Sequence, residues 1–149
     1  MKTEDKKQIY RIIKTYLKDP HVQEMKNYIQ HGSVTTYRHT INVVKMAYIL
    51  DKKLGLHADQ EVLLTAALLH DFYLYDWHKR PWGDLHGYRH PHRAAKKAVE
   101  IFDVNERVKS AIETHMWPVT LLKVPRSREA WLLCYADKFS SMAETLWMR

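Results

Sequence analysis

The chain is poor in the residues that staple or interrupt a fold: one cysteine, four glycines and five prolines occur in 149 residues. A lone thiol excludes an internal disulfide, and Cys134, set inside an apolar run, fits a reducing compartment. No apolar run approaches the roughly 18 residues of a membrane span, and the start, MKTEDKKQIYR, lacks the apolar stretch of a signal peptide. The expectation is a cytoplasmic protein without a membrane partner. A block of like charge is also missing. Lys plus Arg exceed Asp plus Glu, 24 against 17, but the excess is scattered as pairs such as Lys6-Lys7, Lys52-Lys53, Lys79-Arg80 and Lys96-Lys97. That balance favours anionic partners, and a small phosphorylated molecule accounts for it as well as nucleic acid does.

Where apolar residues do occur, they recur at helical spacing. Ile9, Ile12, Ile13, Tyr16 and Leu17 form one stripe, stopped by Asp19-Pro20, and a short segment around Val22, Met25 and Ile29 ends at Gly32. A polar entry at Ser33 to Thr36 opens a helix that runs to about Gly55. The stretch DQEVLLTAALLHD, from Asp59, is apolar on nearly every face, as a helix buried by its neighbours is. Periodicity then fails through DWHKRPWGDLHGYRH, an ordered loop by composition, and Pro91 suits the first turn of the next helix. Asn105 opens another helix, and a last one spans about Ser127 to Leu146. With no repeat and no linker, the reading is a single all-α domain over residues 1–149, with six or seven helices.

Polar residues interrupt several inward stripes. His39 continues Val43, Ala47 and Leu50; His115 continues Val108, Ala111 and Ile112; Asp137 continues Ala130, Leu133 and Cys134. Asp71 ends an apolar run, and a buried carboxylate without a partner is expensive. Any one of these residues alone is an ordinary satisfied core group. Together, on separate helices, they converge most cheaply around a cation, and imidazole plus carboxylate suit a first-row transition metal better than Mg²⁺ or Ca²⁺.

The string LLTAALLHD, the histidine of YRHTINVVKMA upstream and the aspartate of LCYADKFS near the end resemble the H…HD…D signature of the HD-domain metal-dependent phosphohydrolase superfamily. The resemblance implies a compact helical bundle of that type, with a ligand-bearing core over 36–142 and metal ligation by His39, His70, Asp71 and Asp137. HPHRAAKKA resembles the HPxxGA element of two-metal members, which selects His90 over His92, and TH in AIETHMWP resembles the next histidine of that branch, His115. Six ligands imply one or two divalent ions among Fe, Mn, Zn, Co and Ni, with Asp71 bridging two. The chain departs from the pattern where HDFYLYD replaces HDIGK, and it has no GYP motif.

A dinuclear site of this kind implies phosphoester hydrolysis of a nucleotide or another small phosphorylated metabolite by a metal-activated water. Basic residues beside the proposed ligands are candidates to bind the phosphate: Arg93 first, then Lys79, Arg89 and Lys138. Asp76, five residues past Asp71, is a candidate general acid or a cap of its loop. His86 and His92 are read as exposed loop residues that could also support the ligands from outside or contact the substrate, and His21, His31, His57 and His78 as surface residues. Two other functions stay open. A dinuclear-iron oxygenase uses the same ligand types, and a noncatalytic nucleic-acid-binding module would use the basic surface, although no zinc-finger spacing or Arg-rich helix face supports it.

Overall fold

In a computed structural model that describes residues 1–147, seven α-helices and one two-stranded hairpin make up the chain. The expected domain end at 149 lies, with 148, outside the described residues. Helix α1 covers Thr3–Leu17, α2 Pro20–Glu24, α3 Thr36–Leu54, α4 Gln60–Leu69, α5 His86–Phe102, α6 Glu106–Glu113 and α7 Arg128–Trp147. None of the described helices is long and apolar enough to cross a membrane.

Helix α4 is the hub. Every residue from Val62 to Leu69 is buried, and the helix packs against α1, α3, α6 and α7. Its start is fixed by Asp59, whose carboxylate accepts from the Val62 N–H at 3.2 Å, and it ends at His70. Leu63, Leu64, Leu68 and Leu69 are fully buried, so replacing any one by Ala would cost about 2–5 kcal/mol. A helix wrapped on all sides has no solvent face, and its C-terminal residues must therefore enter the interior. That is how His70 and Asp71 come to lie inside.

The flanking helices begin where their cap residues dictate. The Thr35 hydroxyl accepts from Arg38 N–H at 3.1 Å to start α3, and Gly55, at φ 61°, ends it in the left-handed region that glycine tolerates. Asn105 caps α6 through Val108 N–H at 3.0 Å, and Ser127 caps α7 through Ala130 N–H at 3.0 Å.

Two stretches differ from the sequence reading. Helix α5 starts at His86, more than a turn before Pro91, so Pro91 lies inside the helix rather than in its first turn. Leu85, at φ 51°, sets the entry, and Tyr88 and Arg89 both bond back to its carbonyl. In a chain read as all-α, the short segment ending at Gly32 also carries a hairpin. After α2 and a short 3₁₀ turn, Ile29–His31 (β1) pairs antiparallel with Val34–Thr35 (β2). This hairpin packs against α3 and α7 and carries Gln30 and His31 toward the helix interior.

Candidate metal centre

Four histidines and two aspartates from five segments meet at the C-terminal end of α4. His39 comes from α3, His70 and Asp71 from the end of α4, His90 from α5, Asp137 from α7, and His115 from the turn after α6. All six are buried. The packing of α3 and α7 on one side of α4, and of α5 with α6 on the other, places Asp71 between two groups of imidazoles.

The two carboxylate oxygens of Asp71 face different groups. On one side, Oδ2 stands 3.5 Å from His39 Nε2 and 3.3 Å from His70 Nε2, and Asp137 Oδ1 stands 3.0 and 3.5 Å from the same two nitrogens. On the other, Oδ1 stands 3.2 Å from His90 Nε2 and 3.7 Å from His115 Nε2, and those nitrogens are 3.0 Å apart. Atoms that share one ion at bonds near 2.1 Å are separated by about 3.0 Å in an octahedron and about 3.4 Å in a tetrahedron. The first group, at 3.0 to 3.5 Å, is close to that spacing, and the second matches it at His90 while His115 stands farther from Oδ1, at 3.7 Å.

The donor chemistry fits as well. Each of the four histidines directs Nε2 inward and commits Nδ1 elsewhere. His70 Nδ1 meets the Ala67 carbonyl at 2.8 Å, His115 Nδ1 the Ile112 carbonyl at 2.7 Å, and His90 Nδ1 the His86 carbonyl at 3.0 Å. His39 Nδ1 meets Glu144 Oε2 at 2.8 Å, and Asn42 donates to the other Glu144 oxygen at 2.9 Å. An Nδ1–H given to a carbonyl or carboxylate fixes the tautomer and leaves Nε2 as the metal-binding atom. Asp71 Oδ1, moreover, is buried without a well-formed hydrogen bond, and such an atom calls for a partner.

Charge divides along the same line. Burial works to lower His39, but hydrogen bonds to Asp137 and Glu144 and the charge of Asp71 carry it up to about 9. His70 is likewise held well above its usual value, against burial, by Asp71 and Asp137. Burial works to raise both aspartates. His70 and His90 nevertheless hold Asp71 well below the carboxylate range, and His39 and His70 do the same for Asp137. His115 goes the other way, down to about 3, because burial and the neighbouring His70 and His90 oppose its charge.

A cavity of about 680 Å³ opens onto this group, within the range of small-molecule sites. Asp71, His90 and Asp137 form its floor, Gln30, Trp77, Trp82 and His86 part of its wall, and Met116 and Val119 an apolar side. Of the four residues expected at a phosphate, Lys138 lines it, with Nζ held at 3.1 Å by the His115 carbonyl. The other three are not brought there. Arg93 makes a two-pronged pair with Asp84 at 2.8 and 2.7 Å, Lys79 is exposed and 3.8 Å from Asp76, and Arg89 lies on a separate groove along α5. Asp76 accepts from His78 N–H at 3.0 Å and caps the loop, and it does not line the cavity. Arg80, on the same loop, does.

Several neighbours escaped the sequence reading. His31 is half-buried rather than on the surface. Its ring lies 5.5 Å from that of His39, its Nε2 is buried without a partner, and burial together with His39 lowers its pKa. Gln30 donates to Asp71 Oδ2 at 2.7 Å while accepting from Tyr73 at 2.7 Å, so the hairpin helps to orient the Asp71 carboxylate. His86 lies on the cavity wall, whereas His92 is exposed. Glu144 had a legible signal: it follows Asp137 by seven residues, two turns along the same face of α7.

Comparison with protein-family models matches residues 36–142 to the HD domain, a span that holds all six inward-facing ligand candidates. No curated protein and no solved structure matches the chain.

Proposed function

The chain belongs to the HD domain family, and from that premise we propose that it is a metal-dependent phosphohydrolase acting on a nucleotide or another small phosphorylated metabolite. The observation that carries this reading is the division of Asp71 between two sets of Nε2 atoms. His39, His70 and Asp137 would hold one divalent transition ion with Asp71 Oδ2, and His90 and His115 a second with Oδ1. Such ions, when bound, neutralise phosphate oxygens and lower the pKa of a water that attacks phosphorus.

The protein's own groups do the remaining work. Asp71 and Asp137 keep their charge in a buried setting because imidazoles surround them. Lys138 adds a positive charge at the cavity wall, anchored by backbone carbonyls rather than by a carboxylate, so its charge is not neutralised locally. Trp82, fully exposed at the cavity, offers an aromatic face on which a base or another flat group can stack, whereas Trp77 is already stacked on His78 and His86. Met116 and Val119 give the organic part of the substrate an apolar contact.

Metal analysis of anaerobically purified protein, followed by phosphate-release assays over nucleotides and sugar phosphates with Mn²⁺, Fe²⁺, Co²⁺ and Ni²⁺, tests the reading. About two ions per chain and release from at least one phosphoester are expected. Oxygen consumption by the iron-loaded protein without any phosphate release would assign it to the oxygenase chemistry instead.

A further inference from the structure

Arg93 ends a chain of hydrogen bonds that leads to the cavity wall. One of its terminal nitrogens, Nη1, donates to Asp84 and also to the Tyr75 hydroxyl, at 2.8 Å each. A guanidinium has no lone pair with which to accept, so the Tyr75 oxygen accepts there and sends its own proton elsewhere. The acceptor within reach is Nδ1 of His86, 2.9 Å away. A neutral imidazole carries one ring proton, and acceptance at Nδ1 therefore places it on Nε2. The ring is also held flat, 5.2 Å from Trp77 at 7° and 4.7 Å from His90 at 18°. Turning it over would leave the Tyr75 proton without an acceptor. His86 lines the cavity beside Asp71 and His90, and none of the described residues accepts from its Nε2.

We propose that His86 contacts the substrate, donating from Nε2–H to an oxygen of the bound phosphoester, and that Tyr75 and Arg93 are positioning residues that set its tautomer. The inference rests on the phosphohydrolase reading above. A neutral donor suits this place, because it adds a fixed hydrogen bond next to His90 without a further positive charge beside the ions. Arg93 thereby acts through two other side chains rather than by touching phosphate.

The zinc-loaded protein, which is diamagnetic, allows a direct test by nitrogen-15 NMR of the His86 ring. We expect a protonated Nε2 and a bare Nδ1, with the Nε2 signal moving when inorganic phosphate is added and the two tautomers mixing in Tyr75→Phe. In calorimetry, His86→Phe keeps the flat stack but loses about tenfold in affinity for inorganic phosphate, the scale of one hydrogen bond to a charged group. His86→Gln, whose amide nitrogen reaches the place of Nε2, regains most of it. A proton on Nδ1, or equal phosphate affinity in the wild type and His86→Phe, overturns the proposal while leaving the phosphohydrolase reading intact. A wild type that binds no phosphate removes that reading, and this role of His86 falls with it. Should His86→Phe fail to fold, the wild-type tautomer, its response to phosphate and the Tyr75→Phe spectrum decide.

Discussion

The two sides of Asp71 are built from the same residue types and behave differently. Around Oδ2, His39 and His70 face Asp137 as well as Asp71, Glu144 adds a further carboxylate to His39, and both histidines are held above their usual pKa. Around Oδ1, Asp71 is the one carboxylate within 4 Å of His90 and His115 among the described residues, Asp137 acts on His115 only from farther off, and His115 is pushed down to about 3 by burial and by His70 and His90. The carboxylates on the first side attract protons when no ion is present, so an ion that binds there displaces them. The second side offers a bare imidazole at His115. One aspartate can thus bound two sites of unequal charge, and the inequality comes from which helix brings further carboxylates: α7 supplies Asp137 and Glu144 to His39 of α3, whereas among the described residues no carboxylate besides Asp71 lies within 4 Å of His90 on α5 or His115 in the turn after α6.

The comparison breaks entirely if Asp71 is removed. Asp71→Ala should lose both ions and all phosphate release, because that change leaves each group without its shared oxygen; full metal content by elemental analysis would refute the bridging role. Removing one side should be less severe. His90→Ala or His115→Ala is expected to take the ion count from about two toward one and to lower turnover by about 10², with the ion at His39, His70 and Asp137 retained.

The charge difference itself is exposed by pH in the metal-free protein. His39 is raised from about 6.5 to about 9 in the fold, so its contribution to stability is full below about 6.5 and fades as pH climbs to about 9. The loss is on the order of 3 kcal/mol, readable by chemical denaturation with a chelator present. His115 does not act in that window, because its pKa is lowered. It weakens the fold only as pH falls below about 6.5, where the unfolded chain takes up a proton that the buried ring refuses. Stability that holds constant between pH 6.5 and 9 would contradict the paired state of His39.

Smaller effects sharpen the picture. Glu144→Gln keeps the shape but weakens the hold on His39 Nδ1, and metal affinity should fall by about 10-fold to 100-fold, as for other groups that orient a metal-binding histidine. A change confined to the first ion, seen in a two-site titration, is the expected signature. Asp76→Asn, at a loop cap away from the cavity, should leave phosphate release within about twofold.

Much of the centre is legible in the sequence because it sits on regular helices. His39, His115 and Asp137 interrupt apolar stripes of period 3.6, and Asp71 closes a run with no polar face, so pattern alone points them inward. What pattern does not carry is contact between segments that have no period. Gln30 reaches Asp71 from a hairpin forty-one residues away, and Arg93 is taken up by Asp84 of an irregular loop. A charge beside a ligand in sequence says nothing of which carboxylate the loop will bring to it. The start of α5 is obscured for a related reason: Pro91 normally marks a first turn, and here the helix tolerates the missing N–H one turn inside.

The most direct test is anomalous scattering from crystals loaded with cobalt or manganese, recorded at the metal edge. The account predicts two peaks flanking the Asp71 carboxylate, one against Oδ2 with His39, His70 and Asp137, the other against Oδ1 with His90 and His115. A single peak at full loading, or two peaks that do not share Asp71, would contradict it.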